Sequence, residues 1–196
     1  MTNSNSKYAS AYNSCGIWEL WHNKTWEEYT NNEYSKIIKG FVDDEVDHNV
    51  ILYGNNGTGK SMLMNLAMKD FMHKGYSVYS IDFRHLIKEY LKSWRDIGKL
   101  GTIVGAEYLA IDDLGKEFNS GEVSKELAIT TLDYVLRYRF QRKLSTWLTF
   151  NMPLGDIKVE YNEHIASLLK RSSVAVCFEG DDFGENLFQI INPNKK

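Results

Sequence analysis

The chain has 196 residues, enough for one α/β domain to bury a core without disulfide or metal staples. Its 23 Lys and Arg against 26 Asp and Glu give a formal charge of −3, which excludes a globally basic nucleic-acid binder and leaves only a local patch, or several subunits lining a common channel, for any contact with DNA. Cys15 and Cys177 form no metal or redox spacing and fit a reduced cytoplasmic compartment. No apolar run approaches the ~18 residues of a membrane span, and the opening MTNSNSKYASAYNS has neither the basic start nor the apolar centre of a signal peptide, so no membrane is expected.

Residues 1–16 are rich in Ser, Asn and Tyr and read as a flexible tail, with a single domain expected over 17–196. An aromatic segment follows, holding Trp18, Trp21, Trp26, Tyr29 and Tyr34. It reads either as rings capping the core or as an adenine pocket or partner surface, because Trp and Tyr join large apolar area to a polar handle. The acidic run Asp43, Asp44, Glu45 and Asp47 reads as a solvated loop.

Residues 49–53 (NVILY) predict a short buried strand, and 62–74 a helix closed by Gly75. Between them lies GNNGTGKS, residues 54–61, which meets the G-x-x-x-x-G-K-[ST] phosphate-loop pattern at every defined position. Gly54, Gly57 and Gly59 allow positive φ and close approach to phosphate, with Asn55, Asn56 and Thr58 between them. The N–H groups opening the helix, through Met62, point at the anion. Lys60 is expected on the β and γ phosphates of a nucleotide, and Ser61 on Mg²⁺ through its hydroxyl.

Further along, 77–82 (SVYSID) predicts a second strand and 83–94 a helix. Across and beyond that helix, Lys88, Tyr90, Lys92, Trp94, Arg95 and Lys99 interleave cations with rings, the mixture that binds single-stranded nucleic acid. Lys92, Trp94 and Arg95 are its candidate contacts. An amphipathic surface helix is the other reading of the same residues. A third strand at 107–111 runs into Asp112 and Asp113. Two carboxylates after an apolar strand imply a cation: Asp112 is the candidate Mg²⁺ ligand, acting through water, and Asp113 is placed to polarise the attacking water. Residues 123–142 predict a helix, 145–150 (STWLTF) a buried strand, 162–171 a helix and 174–179 a fifth strand, with 187–191 as an additional terminal strand. Asn151, at the tip of the strand expected between the loop strand and the acidic strand, is a candidate to orient water toward the γ-phosphate. Alternating strands and helices imply an α/β fold with a mostly parallel five-stranded sheet, helices on both faces, and nucleotide at the carboxyl ends of the strands.

In combination these segments resemble the AAA+ ATPases (ASCE-type P-loop NTPases) of the DnaC/DnaI-type helicase-loader and IstB-like group. The resemblance runs from about residue 18 to 184. It is carried by KTWEEY (24–29), ILYGNNGTGKS (51–61), YLAIDDLGKE (108–117), RFQRKLSTWLTFN (139–151) and HIASLLKRSSVAVCFEGDDF (164–183). It implies a ring or spiral in which subunits associate through ATP interfaces and an arginine from the neighbour reaches the γ-phosphate. Arg139 matches an arginine of the family pattern, although a surface arginine snorkelling along its helix is the alternative. Two departures stand out: His164 and Leu168 occupy positions where relatives commonly have arginine, with Lys170 or Arg171 one turn on as substitutes, and Gly184 stands where the closing motif has another.

The function the resemblance implies is a compact loader of phage or mobile-element type, an ATPase with weak or partner-stimulated hydrolysis that engages a replicative hexameric helicase and single-stranded DNA during replication initiation. Alternatives are an IstB-like transposition ATPase on duplex DNA and a non-hydrolysing nucleotide-binding adaptor. A nucleoside-monophosphate-type kinase suits the length, but no arginine-rich lid is evident and the phosphate loop begins late.

Overall fold

The computed structural model describes residues 8–29, 33–115 and 123–179. Its strands are β1 (Asn49–Gly54), β2 (Val78–Asp82), β3 (Tyr108–Leu114), β4 (Ser145–Phe150) and β5 (Ser173–Phe178). They form one parallel sheet in the order β2-β3-β4-β1-β5. Parallel strands bury both faces, so they read as apolar runs. Every residue of β4 is buried, and in β1 Val50, Ile51 and Leu52 are.

Successive side chains on these strands feed two cores. Ile51, Leu109, Ile111 and Leu148 face one way, against α5 (Phe83–Ser93), α6 (Gly98–Gly105), α7 (Lys125–Gln141), α8 (Ile157–Glu160) and α9 (Glu163–Ser172). Val50, Leu52, Ala110 and Trp147 face the other way, against α1 (Ala9–Ser14), α3 (Glu33–Asp43) and α4 (Lys60–His73), the last bringing Leu63, Met64, Ala67, Met68 and Phe71. Side-chain oxygens close three of the helix N-termini: Asp82 accepts from the Arg84 and His85 amides, Ser124 from Leu127 and Asn162 from Ile165. Among the described residues no helix is long and apolar enough to cross a membrane.

The expectation of a tail through residue 16 is corrected for residues 9–16. They form α1 and the turn after it, because Tyr12 and Ile17, each 1% exposed, dock on α4 and outweigh the polar average of the segment. The Cys15 carbonyl accepts from the Ser80 amide at 2.8 Å, so the chain runs along the outer side of β2. Gly16 (φ 71°) fits there because a Cβ would lie 2.2 Å from the Ser80 carbonyl oxygen. Pattern reading also assigns no element to α6, whose three glycines each cost about 1 kcal/mol of helix propensity. Burial of Leu100, Ile103 and Val104 overrides that cost. The acidic run is solvated as expected, with Glu45 paired to Lys74 at 3.2 Å and accepting from the Tyr76 hydroxyl at 2.7 Å. The strand expected at 187–191, the closing residues 180–183 and Gly184 lie outside the described residues.

Candidate nucleotide-binding site

β1 ends in the phosphate loop and α4 leaves it, at the carboxyl end of the sheet. Gly54 (φ 128°) passes so close to β5 that a Cβ would sit 2.1 Å from the Phe178 carbonyl oxygen, and Gly59 (φ 87°) begins α4 in the left-handed region. The Thr58 hydroxyl donates to the Asn55 carbonyl at 2.9 Å and fixes the loop from inside. Lys60, only 4% exposed, donates from Nζ to the carbonyls of Gly54 (3.0 Å) and Asn55 (2.5 Å) and to Thr58 Oγ1 (3.3 Å). The loop thus holds an ammonium group at the N-terminus of α4, where backbone N–H groups and the helix dipole already favour an anion.

β3 brings the acids to the same place. Asp112 Oδ1 accepts from Ser61 Oγ (2.8 Å), from Thr149 Oγ1 on β4 (2.5 Å) and from the Asp113 amide (3.1 Å). Burial raises the Asp112 carboxyl above its ordinary pKa. The Thr149 hydrogen bond opposes this, and the neighbouring Asp113 charge reinforces it. Asp113 has φ 61° and lies where the β3–β4 register shifts between Ile111 and Leu114, a left-handed position that costs a non-glycine residue free energy. Its carboxylate accepts from Asn151 Nδ2 at 3.2 Å. The bulge therefore turns two sequential acids to different partners, Asp112 toward Ser61 and Asp113 toward Asn151.

A cavity of about 510 Å³ joins these groups, and the aromatic segment contributes Trp18, Leu20, Trp21 and Lys24 to its lining. The volume lies within the range of ligand pockets. A hydroxyl beside one buried carboxylate is an all-oxygen donor set of the kind Mg²⁺ takes together with phosphate oxygens. No cluster of three or more His, Cys, Asp or Glu exists among the described residues to suggest a protein-only metal cage.

The structure brings together Gly54, Asn55, Asn56, Gly57, Thr58, Gly59, Lys60, Ser61, Met62, Asp112, Asp113 and Asn151. Arg139 is elsewhere, and its expected reach toward a nucleotide in a neighbour is corrected. Its side chain is 0% exposed and donates to Thr146 Oγ1 and to the carbonyls of Val104, Ala106, Glu107 and Ser145. These groups surround the amino ends of β3 and β4. From Ser145 to Asn151 the strand rises about 20 Å at roughly 3.3 Å per residue, so Arg139 lies at the far end of the sheet from the phosphate loop. Burial pushes its guanidinium down to about 9, and it remains a cation at neutral pH.

Lys92 and Arg95 are exposed at the end of α5, and Trp94 is 76% exposed beside them. Lys92 pairs with Glu89 at 2.9 Å. On α9, His164, Lys170 and Arg171 are on the surface, the last donating to the Ser167 carbonyl at 3.2 Å.

Sequence reasoning missed Thr149 and Asn65. Asn65 donates to the Ser61 carbonyl (2.8 Å) and accepts from the Ser80 hydroxyl (2.8 Å), bracing the loop helix against β2. The available signal was a lone amide in an apolar helical run, and a hydroxyl in a strand otherwise read for its β-propensity.

No protein-family model matches the chain. Over 124 residues, 62% of this chain, it is 26% identical to the replicative helicase loader DnaI of Bacillus subtilis (strain 168), and the match spans 39% of that protein's length. In fold it is similar to the crystal structure of the DnaC helicase loader, with TM-score 0.65 and 22% identity, covering 87% of this chain and 100% of that one. It is also similar to the replication initiator DnaA bound to AMPPCP and single-stranded DNA, with TM-score 0.62 and 18% identity, covering 83% and 51%. The chain resembles the DnaC/DnaI-type helicase loaders, and its five-stranded parallel sheet, in the order 2-3-4-1-5, matches the fold of AAA+ P-loop NTPase structures.

Proposed function

We propose that the chain is an ATP-dependent loader of a replicative helicase, acting in the cytoplasm on single-stranded DNA and self-associating through its ATP sites. The observation that carries the ATP part is the 2.8 Å hydrogen bond between Ser61 and Asp112 beside the Lys60 ammonium. The helicase and DNA parts rest on the similarity to DnaI, and on the exposed Lys92, Trp94 and Arg95 at the end of α5.

In this reading the amides of residues 54–62 and Lys60 hold the β and γ phosphates. Ser61 and Asp112 would hold Mg²⁺, which would supply charge neutralisation at the phosphates when bound. Asp113 accepts a proton from the attacking water, and Asn151, hydrogen-bonded to it, aligns that water with the γ-phosphate. The wall of Trp18, Leu20 and Trp21 takes the base. Nucleotide moves the assembly only through its different affinity for the two states, so ATP favours the DNA-gripping form and hydrolysis releases it.

A second reading, slow or partner-completed turnover, is favoured by the burial of Arg139 and by His164 and Leu168 at positions where the family pattern has arginine. An arginine delivered in trans raises phosphoryl-transfer rates by roughly 10³–10⁵, and a partner residue would then complete the site. Capture on the immobilised chain with ATP, with Lys60→Ala as control, tests the assignment. A hexameric helicase in the ATP eluate is expected. A transposase, or no nucleotide-dependent capture, would overturn it.

A further inference from the structure

Lys69 lies two and a half turns beyond Lys60 on α4, at about 3.6 residues per turn. It is 6% exposed, and its ammonium donates to the carbonyls of Trp21 (3.2 Å), His22 (3.0 Å) and Lys24 (2.7 Å). Three donors meet three carbonyls, so the group is fully satisfied without a carboxylate. It also stands 5.2 Å from the ring centroid of the buried Tyr12. Burial holds its pKa below the ordinary lysine value, against the opposing charges of Asp70 and Glu28. A cation kept in so unfavourable a place needs a compensating use.

What it holds is α2 (Glu19–His22), a helix of 4 residues that is too short to persist on its own propensity. The three carbonyls belong to its last residues and the turn after it, where a cation also meets the negative end of the helix dipole. This same piece supplies Leu20, Trp21 and Lys24 to the lining of the cavity that the phosphate loop also lines. The next residue of α4 grips the next turn: Trp26 Nε1 donates to Asp70 at 2.8 Å. One helix therefore carries the phosphate-loop lysine at its start and, farther along, the clamp on the aromatic lining of the same cavity.

We propose that Lys69 is a positioning residue that sets the Trp21 wall for the nucleobase, so that the base-dependent part of nucleotide affinity depends on it and the phosphate-dependent part does not. This rests on reading the cavity as a nucleotide site.

The test compares ATP with inorganic tripolyphosphate on the full chain. Base stacking on an aromatic ring corresponds to about tenfold or more in affinity. Lys69→Met is expected to lower the ATP-to-tripolyphosphate affinity ratio by about tenfold, with tripolyphosphate affinity unchanged. Lys69→Arg, which retains charge and several donors, should recover part of the ratio. Trp21→Ala should lower it alone, and adding Lys69→Met should cost little more. Equal loss of both ligands, or an unchanged ratio, overturns the proposal. If the Lys69 variants fail to fold, amide exchange of the wild-type chain decides: ATP should protect residues 18–24 and tripolyphosphate should not, and equal protection by both would refute it. A wild-type chain that bound neither ligand would instead overturn the nucleotide reading itself.

Discussion

Replacing Arg139 by methionine removes the guanidinium donors from four backbone carbonyls and the Thr146 hydroxyl in a site that is 0% exposed, the Glu107 carbonyl keeping a second donor, the Ser145 amide. At about 1 kcal/mol net per hydrogen bond, five lost bonds cost about 5 kcal/mol, partly offset because the variant no longer buries a charge. A net loss of about 3–5 kcal/mol is expected, and at roughly 2–4 °C per kcal/mol for a domain of this size the melting temperature should fall by about 6–20 °C. Arg139→Lys, which keeps charge and up to three donors, should fall between. The assay is thermal and urea unfolding, with ADP affinity measured well below the transition, where both folded variants should bind like wild type. Two results would refute the reasoning: an unchanged melting temperature with lost ATP turnover, or turnover restored by mixing the variant with Lys60→Ala chains. Either would return Arg139 to a neighbour's nucleotide.

Asp112→Asn keeps an oxygen acceptor for Ser61, Thr149 and the Asp113 amide but removes a buried charge, so the ligand-free protein should melt higher while Mg²⁺-dependent ATP binding falls at least about tenfold. The pH dependence has a definite sign. Because the native Asp112 carboxyl sits above its ordinary value, its contribution to stability is full below that value and is lost as pH rises through the native one. Unfolding across that window should therefore be less pH-dependent in the variant, and a lower melting temperature at neutral pH would contradict this. Lys92→Ala with Arg95→Ala should weaken single-strand binding and flatten its salt dependence by about 0.7 log units per lost phosphate contact. An unchanged slope would return the end of α5 to an ordinary surface.

The parts legible in the sequence are those whose physics is local. Eight consecutive residues hold the phosphate loop and Lys60, so strand, loop and helix are readable together, and the apolar runs of β1, β3 and β4 predict buried parallel strands. Asp112 and Asp113 read as a pair, but their divergence depends on a left-handed Asp113 and a register shift against β4, which no single-strand pattern contains. Arg139 reads as an edge position on α7, yet the carbonyls that capture it come from the last turn of α6, the α6–β3 connection and the start of β4. The order of residues 9–16 depends on Tyr12 and Ile17 finding α4, and composition averages such anchors away. Thr149 and Asn65 are polar groups in apolar runs, and their use emerges only when β3, β4 and α4 meet.

The central claim is that residues 54–61 and the acid at Asp112 clasp a magnesium nucleotide. Isothermal titration of the full chain with ATP and with ADP, each with and without Mg²⁺, tests it most directly. The account predicts saturable heat for both nucleotides, strengthened by Mg²⁺ for ATP and abolished in Lys60→Ala. No heat for either nucleotide, at low and at high chain concentration, would contradict it.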